Sequence, residues 1–198
     1  MDKFEIVVAG VGGQGVLLLG SLLDKAARFD GIKTIVGSEI HGMAQRGGPL
    51  VSYTRLGEDV FGPIISVGCA DVIIGLEYIE GLRNIERLSK HGCMIVSDTK
   101  RPSSTMWLTD SPYPEKEFVL AAMKKAADNV LVVNADKIAG TAGNIRASNV
   151  VMLGAAVAGV EGFPISQESF MDAIRMTLPE KLVDINIKAF KAGVEATS

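Results

Sequence analysis

The stretch FEIVVAGVGGQGVLLLGSLLDKAARF, residues 4–29, constrains the fold more than any other part of the chain. Its first seven residues are mostly apolar, rich in β-branched side chains and closed by Gly10, the pattern of a strand buried on both faces. Beyond the glycines, over residues 14–29, Leu19, Leu22, Leu23, Ala26 and Ala27 recur at helical spacing. Strand, glycine turn and helix in immediate succession call for a return to the sheet, and KTIVGSE (33–39) reads as the second strand of a βαβ unit of about 35 residues.

The pattern then changes. In PLVSYTRLGEDVFGPI, Val51, Tyr53 and Arg55 alternate ahead of a turn at Gly57, which predicts a hairpin or meander where a second helix would be due. ADVIIGLE (70–77) and CMIVSD (93–98) are again strand-like. Between them Ile79, Leu82, Ile85 and Leu88 carry a helical period, with Gly92 as its stop. A proline- and serine-rich loop over 101–114 precedes a helix over about 115–128 and a strand at 129–135. The last third reads as helices at 146–160, 166–178 and 179–193, with Ser166 as N-cap, Pro179 at a helix start and Gly193 as a terminator. The expected fold is α/β: a Rossmann-like, mostly parallel sheet with helices on both faces, a hairpin insertion after the second strand and a helical C-terminal section. No repeat or linker divides it, so residues 1–198 are expected to form one domain.

A 47% hydrophobic composition is ample for such a core. A net charge of −3, from 20 basic and 23 acidic side chains without a polybasic run, offers no field for nucleic acid phosphates. The N-terminus lacks the apolar region of a signal peptide, and runs such as VVMLGAAVAGV (150–160) are shorter than the roughly 20 residues a bilayer requires. A cytoplasmic chain without membrane contact is therefore expected. Cys69 and Cys93 are far apart and form no C-x-x-C, so both are read as buried, reduced thiols, and no metal site is predicted.

Two glycine-rich loops carry the candidate chemistry. Gly10, Gly12 and Gly15 satisfy G-x-G-x-x-G between a strand and a helix, where glycines admit a tight turn and helix amides can meet a pyrophosphate. Glu39 ends the second strand where an acidic residue could hold a ribose. The doubled Gly12-Gly13 and Gln14 suit many anions besides a dinucleotide, and the glycines could equally serve close packing of helix on strand. The second loop, EIHGMAQRGGPLVSY (39–53), places His41, Gln45 and Arg46 among Gly42, Gly47 and Gly48. A histidine can move a proton near neutral pH, an arginine can fork onto a carboxylate or phosphate, and glycines let backbone approach a ligand or partner. A structural loop with His41 hydrogen-bonded and Arg46 ion-paired is the alternative. Both loops would sit outside the carboxyl ends of adjacent strands, where doubly wound folds gather ligands. Asn144, Arg146 and Asn149 form a further polar cluster, with a helix cap and an ion pair as the plainer roles.

The ordered segments AGVGGQGVLLLG, SEIHGMAQRGGPLVSYTRLG, ADVIIGLE, GNIRASNVVMLGA and PEKLVDINIKAFKAG resemble the small, gamma-type subunit of the 2-oxoacid:ferredoxin oxidoreductases. The HGMAQRGG wording is similar to the indolepyruvate branch, whose small subunit is called beta; the 2-oxoglutarate and 2-oxoisovalerate branch usually has a tyrosine where His41 stands, and pyruvate enzymes are a further branch. The resemblance implies a subunit, not active alone, of an enzyme that decarboxylates an aryl 2-oxoacid with coenzyme A as co-substrate and ferredoxin as acceptor. It also implies that thiamine diphosphate, Mg and [4Fe-4S] clusters sit on a large alpha subunit, because this chain lacks the cysteine sets clusters need. His41 and Arg46 would then act in a shared active site, with Gly10, Gly12, Gly13, Gln14, Gly15, Glu39, Gly42, Gln45, Gly47, Gly48, Asn144, Arg146 and Asn149 facing ligand or partner. The competing expectations are a stand-alone nucleotide-dependent oxidoreductase, carried by the first glycine motif and Glu39, the 2-oxoglutarate, 2-oxoisovalerate or pyruvate branch of the same family, and a binding or regulatory module, suggested by the absence of a complete catalytic set.

Overall fold

In the computed structural model, which describes residues 3–41, 47–58, 60–104, 106 and 112–198, the opening segment forms β1 (Phe4–Val11) and α1 (Val16–Phe29). The strand faces alternate as a pleat requires: Ile6 and Val8 pack with Leu19, Leu22 and Leu23 of α1, while Val7 packs on the opposite face. After α1 come β2 (Ile35–His41), β3 (Pro49–Leu56) and β4 (Ala70–Gly75). Then follow α2 (Tyr78–Arg83), β5 (Leu88–Ser97), α3 (Lys116–Ala126) and β6 (Asn129–Val133). The chain ends in α4 (Ala135–Ala142), α5 (Ser148–Gly159), α6 (Gln167–Thr177) and α7 (Glu180–Glu195).

The six strands run in the order β2-β3-β1-β4-β5-β6. β1, β4, β5 and β6 pair in parallel, and β3 pairs antiparallel with both β1 and β2. The sheet is thus mostly parallel with helices on both faces, as expected. The antiparallel element lies elsewhere than the sequence suggested: the hairpin is β2 with β3, and the glycine-rich loop is its connection. Gly57, at φ 122°, ends β3 and donates its N–H to Thr34 O at 3.2 Å. Because β3 wedges between β1 and β2, the two glycine loops do not follow adjacent strands.

α1 and α5 cover one face, with Phe170 of α6 and Phe190 of α7 in the same apolar layer. Tyr78 and Ile79 of α2 and Val119 and Met123 of α3 cover the other, against Tyr53, Ile73, Met94 and Val96. The crossover from β1 therefore goes to one face and that from β4 to the other. The gap between these two strands is a topological switch point, where a crevice opens at the carboxyl edge.

Three local readings change for reasons of packing. The helix expected across 78–92 stops at Arg83, and after a 3-10 turn at Ile85–Arg87 β5 already begins at Leu88. Gly92 lies inside β5, where pairing with β4 jumps from Ala70–Leu88 to Val72–Cys93; a Cβ there would stand 2.7 Å from Ala70 O. Gly193 likewise sits within α7, since the helix continues to Glu195. A Cβ on Gly193 would meet Val151 O at 2.0 Å, and one on Gly154 would meet Phe190 O at 2.0 Å, so the backbones of α5 and α7 touch through this pair. α4 covers ADKIAGTA, which carried no assignment, and Cys69 is half-exposed where burial was expected; Cys93 is buried.

Candidate functional site

The glycine turn is built by its own residues and closed by β4. The N–H of Val11 donates to Gln14 Oε1 at 2.7 Å, and Gln14 Nε2 donates to Leu76 O at 2.9 Å. Gln14 therefore ties the turn to the end of β4, with its amide engaged on both sides. Gly13 and Gly15 adopt φ of 97° and 84°, left-handed backbone that a side chain rarely takes. Space differs between them: a Cβ on Gly13 would meet nothing within 4 Å, whereas one on Gly15 would stand 2.3 Å from Asn149 Nδ2. Gly10 is held inside β1 opposite Leu50, and a Cβ there would meet Val16 at 3.0 Å and Leu76 at 3.1 Å.

The two glycine loops meet even though their strands are not neighbours. β3 starts at Pro49 opposite Val11, which carries the end of the second loop alongside the first turn. The N–H of Gly12 donates to Gly48 O at 2.8 Å. Gly47, at φ 72°, has its carbonyl held from the other side by the N–H of Ser104 at 2.6 Å. The Ser104 hydroxyl is buried and has no hydrogen-bond partner among the described residues. His41 closes β2 opposite Leu50, its side chain outside the description. Gly42, Gln45 and Arg46 lie outside the described residues.

Asn144, Arg146 and Asn149 stand across from the first turn. Asn144 caps the 3-10 turn Ile145–Ala147, its Oδ1 accepting the N–H of Arg146 at 3.0 Å. Asn149 is buried on α5 and sends Nδ2 toward Gly15 O at 3.5 Å. Two adjoining clefts of about 260 Å³ each share Gly13, Gln14 and Arg146. One is completed by Thr99, Arg101, Asp136 and Ser148, the other by Asn144, Asn149 and the start of α7. Two guanidinium-bearing residues, a hydroxyl pair and open glycine backbone suit a phosphate or carboxylate, and among the described residues Asp136 is the one acidic residue lining these clefts. Thr99, Arg101, Asp136 and Ser148 gave no signal in the sequence, because they come together only where β5, β6 and the turn before α5 end at one edge.

Glu39 is not part of this arrangement. It stands on β2, two strands and about 10 Å from β1 across the sheet, exposed, and it lines a separate groove with Asp24, Arg28 and Ser52. The ribose-binding position of a dinucleotide site adjoins β1, and here β3 occupies that place.

Behind the loops lies a buried acidic group that the sequence reading passed over. Glu77 follows β4, is 1% exposed and caps α2, its Oε2 accepting the N–H groups of Ile79 at 2.8 Å and Glu80 at 3.0 Å. Tyr113 donates its hydroxyl to Glu77 Oε1, and the backbone N–H of Arg101 donates to the same carboxylate. Burial pushes the Glu77 carboxyl above the usual range, against the opposing pull of Tyr113 and the three N–H donors. Burial and the Glu77 bond together push the Tyr113 phenol up, so it remains a donor. Burial also raises Glu80 to about 7, with Arg83 opposing and Glu77 assisting.

No group of three or more metal-ligating side chains converges among the described residues, and the chain's two cysteines cannot supply a four-thiolate set. These residues do not fit an iron–sulfur cluster. No helix among the described residues is long and apolar enough to cross a membrane.

Fold and cleft together define a doubly wound domain with a crevice at its switch point lined by Gly13, Gln14, Arg101 and Arg146. Residues 5–196 match the family model of the pyruvate ferredoxin/flavodoxin oxidoreductases, and the chain belongs to that family, as a small subunit of the 2-oxoacid:ferredoxin oxidoreductase type. It is 40% identical to the indolepyruvate oxidoreductase subunit IorB of Thermococcus kodakarensis, covering 99% of this chain and 96% of that one. The protein of the same name from Pyrococcus horikoshii is also 40% identical, over 99% and 96% of the two chains. The crystal structure of a keto/oxoacid ferredoxin oxidoreductase gamma subunit from Geobacter sulfurreducens superposes with a TM-score of 0.71 at 26% identity, covering 98% of each chain. The family membership implies cofactors held on a partner subunit.

Proposed function

We propose that this chain, as a single domain of residues 1–198, is the small subunit of an indolepyruvate:ferredoxin oxidoreductase in the cytoplasm. The reaction consumes an aryl 2-oxoacid, coenzyme A and two oxidised ferredoxins. It releases an aryl-acyl-CoA, carbon dioxide, a proton and two reduced ferredoxins. The carbon chemistry and single-electron transfer belong to a large subunit bearing thiamine diphosphate, Mg and [4Fe-4S] clusters. The aryl preference rests on the two relatives named for indolepyruvate and on the HGMAQRGG loop.

This chain's part is to dock its carboxyl sheet edge on the large subunit and close the cleft around an anionic group of the oxoacid or coenzyme A. The carrying observation is the crevice where the Gly13-Gln14 turn faces Arg101, Arg146, Thr99 and Ser148. Arg46 neutralises an anionic group at the shared boundary and His41 positions one, with Gly42 and Gln45 contacting ligand or partner. Fixed donors of this kind hold a substrate in a reactive pose and exclude water. Gln14 contributes by locking the turn, since both ends of its amide are already bonded, and Gly13 offers the open backbone.

Copurification from cell extract tests the assignment: a larger iron- and thiamine-containing protein should accompany the chain and reduce ferredoxin with indolepyruvate and coenzyme A. A chain that emerges alone with a nucleotide bound refutes it. In the assembled enzyme, Arg46→Ala should lower kcat/KM for coenzyme A or oxoacid by about tenfold or more, as expected when a charged hydrogen bond is lost. Unchanged kinetics would remove Arg46 from the site.

A further inference from the structure

We propose that Glu77 is the positioning residue for the Gly47-Gly48 end of the second loop, acting through the connection between β5 and α3. This rests on the reading of that loop as part of the active-site boundary.

The geometry forms a closed chain of contacts. Glu77 is buried and its carboxylate holds two points of the β5–α3 connection: the N–H of Arg101 near its start and the hydroxyl of Tyr113 near its end. Between these points Ser104 donates its N–H to Gly47 O at 2.6 Å. On the other side, Gly12 donates to Gly48 O at 2.8 Å, and the turn containing Gly12 is bound through Gln14 to Leu76 O at 2.9 Å. Leu76 and Glu77 are consecutive, so the end of β4 anchors both supports of the Gly47-Gly48 segment. One support runs through the glycine turn, the other through Ser104.

Capping α2 does not account for this arrangement. Oε2 alone receives the N–H groups of Ile79 and Glu80, and a neutral glutamine oxygen could do the same. The second oxygen faces Tyr113, on the side toward the β5–α3 connection. A carboxylate is the side chain with acceptors on both sides, and only acceptors serve where every neighbour is a donor. Lys100 packs its ammonium 5.0 Å from the centre of the Tyr113 ring, and Tyr78 meets that ring edge-on at 5.5 Å, so the tyrosine is held from several directions. Residues 105 and 107–111 lie outside the described residues.

The test is Glu77→Gln in the assembled enzyme, with Tyr113→Phe as a second variant that leaves the α2 cap untouched. Amide hydrogen exchange read at single residues should accelerate by roughly tenfold at Arg101 and Ser104, while Ile79, Glu80 and the helices distant from the site keep their wild-type protection. KM for coenzyme A or oxoacid should rise about fivefold with kcat within twofold, and on the same substrate that Arg46→Ala affects. If Ser104 exchanges at the wild-type rate in both variants, or accelerates only together with the whole chain, the positioning role is overturned. If Ser104 accelerates while neither variant nor Arg46→Ala alters kinetics, Glu77 still positions the segment, and it is the active-site reading of the loop that fails.

Discussion

Gly15→Ala probes the junction of turn and cleft, and its cost follows from two separable terms. Gly15 is the N-cap of α1 at φ 84° and ψ 26°, and alanine in left-handed backbone costs about 1–2 kcal/mol. The added Cβ would also stand 2.3 Å from Asn149 Nδ2 and 3.1 Å from Asn149 Cγ. Asn149 is 5% exposed, so relief requires its side chain to swing away from Gly15 O and lose that bond, worth about 1 kcal/mol. The sum is about 2–3 kcal/mol, and for a chain of 198 residues it lowers Tm on the order of 8 °C. The assay is thermal and urea unfolding of Gly15→Ala, Asn149→Ala and the double variant. Removing the asparagine side chain first should recover the steric share, so the double variant should be more stable than the sum of the single effects by about 1 kcal/mol. A Gly15→Ala protein that melts within 1 °C of wild type, or strict additivity in the double variant, would refute the reasoning.

Other outcomes follow from the packing and the buried charges. Gly154→Ala places a methyl group against the backbone of α7, 2.0 Å from Phe190 O; it should force α5 and α7 apart and cost about 3 kcal/mol or more, read from the urea midpoint. Glu80 titrates near 7 in the fold because burial disfavours its charge, so the native state holds a proton that the unfolded chain releases from about 4.5 upward. Stability should therefore fall as pH rises from 4.5 to 7, and Glu80→Gln should flatten that slope in a series of unfolding curves.

Much of the framework was legible locally. β1, the glycine turn and α1 announce themselves because a buried parallel strand, a left-handed turn and an amphipathic helix each leave a signature within a few residues. Ser166 is the N-cap of α6 with its hydroxyl accepting the N–H of Ser169 at 3.2 Å, and Pro179 stands at the start of α7, both as short-range patterns suggest. The family resemblance was legible for a related reason: the glycine turn, the second loop and the segment before α5 are contiguous words in the chain.

What tertiary structure alone decided is where those words meet. Periodicity describes a strand but not its neighbours, so nothing local reveals that β3 enters between β1 and β2, removes Glu39 from the glycine turn and brings Gly48 onto Gly12. A glycine reads as a terminator until the opposing backbone is known; Gly92 and Gly193 are contact points against β4 and α5. Glu77 ends a strand-like word as an unremarked acidic residue, and its four donors come from α2, Arg101 and Tyr113, which only the folded chain assembles. The sequence by itself determined the fold class, with helices on both faces of a mostly parallel sheet, and the two glycine-rich loops; the switch of faces between β1 and β4 came from the structure. The meeting of the two loops at the Gly12–Gly48 hydrogen bond depends on strand order and close backbone approach, which are properties of residues far apart in the chain.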